Sequence, residues 1–176
     1  MGTRRSRDHI SYTAATLTAD TVTNTTVATA FAQKLTIAGG TQKVGDRRTF
    51  RAVVKTPTTN STDTLTLQLM VADIVICDCA AINVADNDVI VLEGFYVVQA
   101  IGAGSTAAIT GGGYSYLSGA TSISKAKAFA RTTSANFATT TDEDVTVVAT
   151  WSVASASNIA RLESLDQDQT DGKLAA

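Results

Sequence analysis

The stretch Asp63-Thr64-Leu65-Thr66-Leu67-Gln68-Leu69 decides the fold of this chain. Leu65, Leu67 and Leu69 fall on one side of a period of two, with Thr64, Thr66 and Gln68 on the other. Successive side chains of a strand point to opposite faces, so the pattern predicts a strand with one dry side and one wet side. The same code runs from Arg47 to Leu165, broken every ten or so residues by Gly, Asn and Asp. Val145, Val147, Ala149, Trp151 and Val153 alternate with Thr146, Val148, Thr150 and Ser152, which makes Trp151 an expected core anchor. Phe50, Ala52 and Val54 oppose Arg51, Val53 and Lys55 in the same way. The run from Val89 to Ala100 is apolar on both faces, as in a central strand or one lying at a subunit contact.

These runs predict strands at 27–37, 47–55, 63–71, 73–81, 89–100, 105–117, 121–131, 143–154 and 158–166. Helix signals are weak, since no long stretch carries apolar residues at three- and four-residue spacing. The expectation is an all-β chain, a single jelly-roll β-sandwich preceded by an extended N-terminal arm. Residues 1–24 are read as the arm, 25–165 as the sandwich and 166–176 as a polar C-terminal tail.

Composition narrows the function classes. The chain has 176 residues, enough for one domain with a substantial core. Charged residues are only 17%, below the roughly 25% usual for soluble domains. Either Thr and Ser keep the surface wet, or other subunits cover part of it. A net charge of -2 gives no general reason to bind nucleic acid or an anionic membrane. No apolar run approaches the roughly 20 residues of a membrane helix. Arg4-Arg5-Ser6-Arg7 is basic, but no apolar segment of a secretory signal follows it.

Catalytic chemistry finds little support. The single His9 lies in the arm, away from a core that could hold it as a base. Cys77 and Cys79 are two apart, a spacing of neither redox nor zinc sites, and read as small buried apolar side chains. The acid groups Asp86/Asp88, Asp142/Glu143/Asp144 and Asp166/Asp168/Asp171 are assigned to solvated turns and the tail. Asp166-x-Asp168 departs from a calcium loop at its fifth and sixth positions, occupied by Thr170 and Asp171. Glu93, between Leu92 and Gly94 in an apolar run, is a conceivable acid, but pairing with an Arg or Lys on a sheet face is the better reading. Gly111-Gly112-Gly113 has no following helix or Lys-Ser/Thr to cradle a phosphate, and marks a bulge or a close backbone approach. No catalytic residue, metal ligand or cofactor site is therefore expected.

Four phrases carry a resemblance: Arg7-Asp8-His9-Ile10-Ser11-Tyr12-Thr13, Ala19-Asp20-Thr21-Val22-Thr23-Asn24-Thr25, Asn60-Ser61-Thr62-Asp63-Thr64-Leu65-Thr66-Leu67 and Val84-Ala85-Asp86-Asn87-Asp88-Val89. In them the chain resembles β-sandwich decoration, or cement, proteins of tailed-bacteriophage capsids. The resemblance implies a jelly-roll body, often trimeric, on the outer surface of the virion head, with the major capsid protein as partner and an arm across capsid subunits. An arm of about 20 residues spans roughly 65 Å when extended. Its expected contact residues are Arg4, Arg5, Arg7 and Tyr12. The alternative is a receptor- or carbohydrate-binding jelly roll of a tail fibre or bacterial surface, for which Tyr114 and Tyr116 are the expected ligand face.

Overall fold

A computed structural model describes residues 7–13, 20–60, 62–118 and 125–170, with 7–13 and 125 described by backbone alone. Thirteen strands lie among them: β1 (Arg7–Thr13), β2 (Thr21–Thr23), β3 (Thr29–Ala30), β4 (Leu35–Ile37), β5 (Arg47–Thr58), β6 (Thr64–Val71), β7 (Ile74–Asp78), β8 (Ile82–Asn83), β9 (Asp88–Ala100), β10 (Ala108–Leu117), β11 (Lys125–Thr132), β12 (Glu143–Trp151) and β13 (Ile159–Thr170). The one helical element among the described residues is a single 3-10 turn, Gly104–Thr106. The all-β expectation holds.

The strands form two antiparallel sheets packed as a sandwich. The larger runs β1-β13-β5-β9-β10-β11, with β2 also paired to β13. The smaller runs β3-β12-β6-β7, with β4 added to β12 and β8 to β6. Leu65, Leu67, Leu69 and Val71 are fully buried on the inner face of β6, as the alternation dictates. They meet Phe50, Ala52 and Val54 of β5 and Ile90, Leu92, Tyr96 and Val98 of β9 in one core. Trp151 is its largest side chain, and its indole Nε1 donates to Val22 O at 3.3 Å. Each fully buried Leu contributes about 1.5–3 kcal/mol through removal of apolar surface from water. β9 does prove central, hydrogen-bonded to β5 on one side and β10 on the other.

Four sequence expectations give way. The strand expected at 27–37 is only β3 and β4, because the buried Asp20 carboxylate takes the Ala32 and Gln33 amides (2.7 and 3.1 Å) between them. Residues 105–107, expected in a strand, belong to the 3-10 turn and its exit. Asp166 to Thr170, read as the start of a tail, continue β13, held between β5 and β1 with Gln167 turned into the interior. Likewise Arg7–Thr13 and Thr21–Thr23 of the expected arm are strands on the β13 edge of the same chain. Asp171 and the rest of the tail lie outside the described residues, as do Arg4 and Arg5.

Gly111-Gly112-Gly113 mark both a bulge and a close approach. The β10 register shifts between Ile109 and Gly111. A Cβ on Gly113 would meet Glu93 O and lie 2.9 Å from both Cys77 Cβ and Ile76 O. The neighbouring backbone belongs to β7 and β9 of the same chain.

Candidate functional site

Alternation on β9 sends Ile90, Leu92, Gly94, Tyr96 and Val98 inward and Val91, Glu93, Phe95 and Val97 outward. The register then builds one row across the outer face of the larger sheet. Asp166 of β13 stands opposite Arg51 of β5, Arg51 opposite Glu93, Glu93 opposite Tyr114 of β10, and Tyr114 opposite Ala126 of β11. Tyr116 lies two residues beyond Tyr114, on the same face.

Within this row the Tyr114 hydroxyl donates a short hydrogen bond to Glu93 Oε2. The Tyr116 hydroxyl reaches Glu93 Oε1 at 3.5 Å, and Arg51 Nε lies 3.4 Å from the same oxygen. The two tyrosine rings stack with centroids 6.2 Å apart and planes inclined by 22°. Hydrogen bonding to Glu93 raises the Tyr114 hydroxyl above its ordinary pKa, and hydrogen bonding with Tyr116 does the same for the Arg51 guanidinium. Farther along β9, the Arg47 guanidinium lies 4.3 Å over the Phe95 ring, a cation-π contact. The outer face thus carries aromatic rings, two carboxylates and two guanidinium groups on a rigid sheet.

The sequence foresaw parts of this cluster. Tyr114 and Tyr116 do share a face, and Glu93 does pair with a cation. Arg51 went unnoticed as a member, because alternation gives the face of a residue but not the neighbour of its strand. Arg7 and Tyr12 are placed by backbone register only, opposite Thr170 and Leu165.

The other sequence candidates separate. Cys77 and Cys79 are buried free thiols, and burial pushes the Cys77 thiol up to about 12. Asp86 Oδ1 accepts from the Thr59 amide and Asp88 Oδ2 from the Ala85 amide, both at 2.7 Å, so these acids hold turns. Asp144 pairs with Lys34 at 2.6 Å on the surface. Glu143 departs from the solvated-turn expectation: it is buried, accepts from the Ala138 amide at 2.7 Å, and burial raises its pKa. An open groove of about 450 Å³ runs along Asp73, Val75, Lys127 and Phe129, at the seam between β7 and β11. Among the described residues no group of three or more His, Cys, Asp or Glu is placed to hold a metal ion.

Comparison with known proteins finds no matching family model, no matching curated protein and no matching solved structure.

Proposed function

We propose that this chain is a non-enzymatic structural protein of a tailed-phage virion, a cement protein on the outer surface of the capsid. In this reading it assembles as a homotrimer and stabilises the head by clamping neighbouring major capsid subunits.

Strand connectivity supports the jelly-roll form of the reading. Four antiparallel pairings nest one inside another: β6 with β7, β5 with β9, β4 with β12, and β1 with β13. They describe a single ribbon of eight strands. Wrapping that ribbon on itself brings β13 beside β5 and β12 beside β6, pairings the protein also makes. A ribbon so wrapped is a jelly roll, here lengthened at one edge by the β10–β11 hairpin.

The observation that carries the function is the placement of β1. It is the outermost strand of its sheet, paired to β13 from Ser164 to Thr170. β2 pairs farther along the same edge, with Thr21 opposite Arg161. Only about 10 Å of β13 separates the two footprints at the rise of a strand. The seven residues 14–20 join β1 to β2 and span up to about 25 Å when extended. This slack lets β1 leave its own edge without unfolding the body and add to a strand edge of a neighbour. Strand addition uses backbone hydrogen bonds and tolerates a bland sequence. Arg4, Arg5, Arg7 and Tyr12 travel with the strand and would meet an acidic capsid surface. Many copies on a lattice act together through raised effective concentration.

Co-sedimentation with capsids tests the proposal, with capsid heat resistance as a second readout. The whole chain should pellet with capsids and raise the temperature at which they release DNA. A variant lacking residues 1–13 should do neither while keeping a folded body. A chain that leaves capsids unbound and unprotected overturns the reading.

A further inference from the structure

The outer face of the larger sheet holds Val53, Val91, Phe95, Val97, Tyr114 and Tyr116, where a solvated sheet face is normally polar. Tyr114 is 38% exposed, one of the exposed large hydrophobic side chains. Its hydroxyl reaches toward Glu93 on β9, so the ring leans away from β11. On that other side stand Ala126, directly opposite, and Ala128, both exposed and neither longer than a methyl group. The result is a step: the Tyr114 ring above a flat alanine floor, with the Glu93 carboxylate at its hydroxyl end and Arg51 beside Glu93.

We propose that this step binds a neutral, hexose-containing glycan. A pyranose ring has one apolar face of C–H groups and a rim of hydroxyls. The Tyr114 ring offers the first a flat apolar partner, and the alanine floor leaves room for it. Glu93 and Arg51 offer the rim an acceptor and a donor. Among the described residues the contacts of Glu93 Oε1 are long, 3.5 Å from the Tyr116 hydroxyl and 3.4 Å from Arg51 Nε. Contacts of that length are weak, so sugar hydroxyls can replace them with shorter bonds. Asp166 and Glu93 stand on either side of Arg51 in the row, which leaves an excess of negative charge that disfavours acidic saccharides. The site lies on the face of the sheet, whereas the proposed capsid contact uses its β1 edge, so each can fail without the other.

The whole chain is probed on an array of neutral glucose, galactose, mannose and N-acetylglucosamine oligosaccharides beside sialylated and uronic-acid ones. The strongest neutral hit is then titrated by calorimetry. At least one neutral oligosaccharide should bind, and Tyr114→Ala should weaken it about tenfold or more. Tyr114→Phe, which keeps the ring, should weaken it less. Ala126→Gln fills the floor without touching the network and should also abolish binding, which keeps the test decisive if Tyr114→Ala fails to fold. Capsid co-sedimentation should be unchanged in Ala126→Gln. The proposal is overturned by an array with no neutral hit, by binding confined to acidic sugars, or by undiminished binding in both Tyr114→Ala and Ala126→Gln. Self-association through this face, lost in Tyr114→Ala and unaffected by sugar, overturns it as well.

Discussion

Asn158 Nδ2 donates to Asp63 Oδ2 at 2.8 Å, joining the entry of β13 to the entry of β6 across 95 positions of chain. Both residues are buried. The same amide nitrogen donates to Val153 O at 3.0 Å, and Oδ1 accepts from the Asn60 amide at 2.9 Å. One side chain therefore satisfies three groups, two in the turn that Asn60 and Asp63 close and one in the turn that follows β12. Asn158→Ala would leave a carboxylate, a carbonyl and an amide without partners. Urea denaturation should show a loss of about 3 kcal/mol, against less than about 0.5 for the exposed Ser157→Ala. Equal midpoints for the two variants would refute the role of Asn158 as a tie.

Gly113 and Gly94 should respond very differently to a methyl group. At Gly113 the new Cβ meets backbone atoms of Glu93 and Ile76, which cannot yield without moving a strand. At Gly94 it meets only the ends of Ile76 and Leu69 side chains, at 3.2–3.3 Å. Gly113→Ala should cost more than about 3 kcal/mol or abolish soluble expression, and Gly94→Ala about 1. Thermal melts of the two variants decide the matter, and a Gly113→Ala protein that melts with the wild type would contradict this packing.

The thiols offer a chemical probe of the core. Cys77 and Cys79 are fully buried, and the Cys77 thiol, raised to about 12 by burial, stays protonated at neutral pH. A thiolate is the reactive form, so a disulfide reagent near pH 8 should label neither cysteine in the native protein. Both should react at once in guanidinium chloride. Rapid labelling of the native chain would place Cys77 outside the core.

Glu143 gives stability a pH dependence with a definite sign. Burial raises its folded-state pKa above the 4.5 of an unperturbed glutamate. The folded state therefore holds this proton more tightly than the unfolded chain. The associated stabilisation is complete below 4.5 and is lost as pH rises through the folded value. Glu143→Gln removes the penalty of a buried charge and keeps an acceptor for the Ala138 amide. From about pH 4 to about pH 7 wild type should lose stability relative to this variant. Parallel pH profiles from denaturant titrations would count against it.

The β-strands were legible wherever alternation met burial on one face. Leu65, Leu67, Leu69 and Trp151 lie in the core as their spacing demands. Polar strands were harder. Asp166 to Thr170 carry no large apolar side chain, yet pair on both sides with β5 and β1, so backbone hydrogen bonds make them strand. Asp20 was invisible as a structural acid, because its role depends on two amides more than ten residues away. Glu143 looked like one of three turn acids until packing buried it between Asp142 and Asp144.

What the sequence determined by itself is each residue's face, since side-chain direction on a strand follows from the local period of two. It assigned Glu93, Tyr114 and Tyr116 to sheet faces, and Trp151 to the interior. Only the tertiary structure decided which strands adjoin, and with them the meeting of Arg51, Glu93 and Tyr114 in one row. Pairing between strands distant in sequence rests on register and sheet packing, which no local pattern encodes.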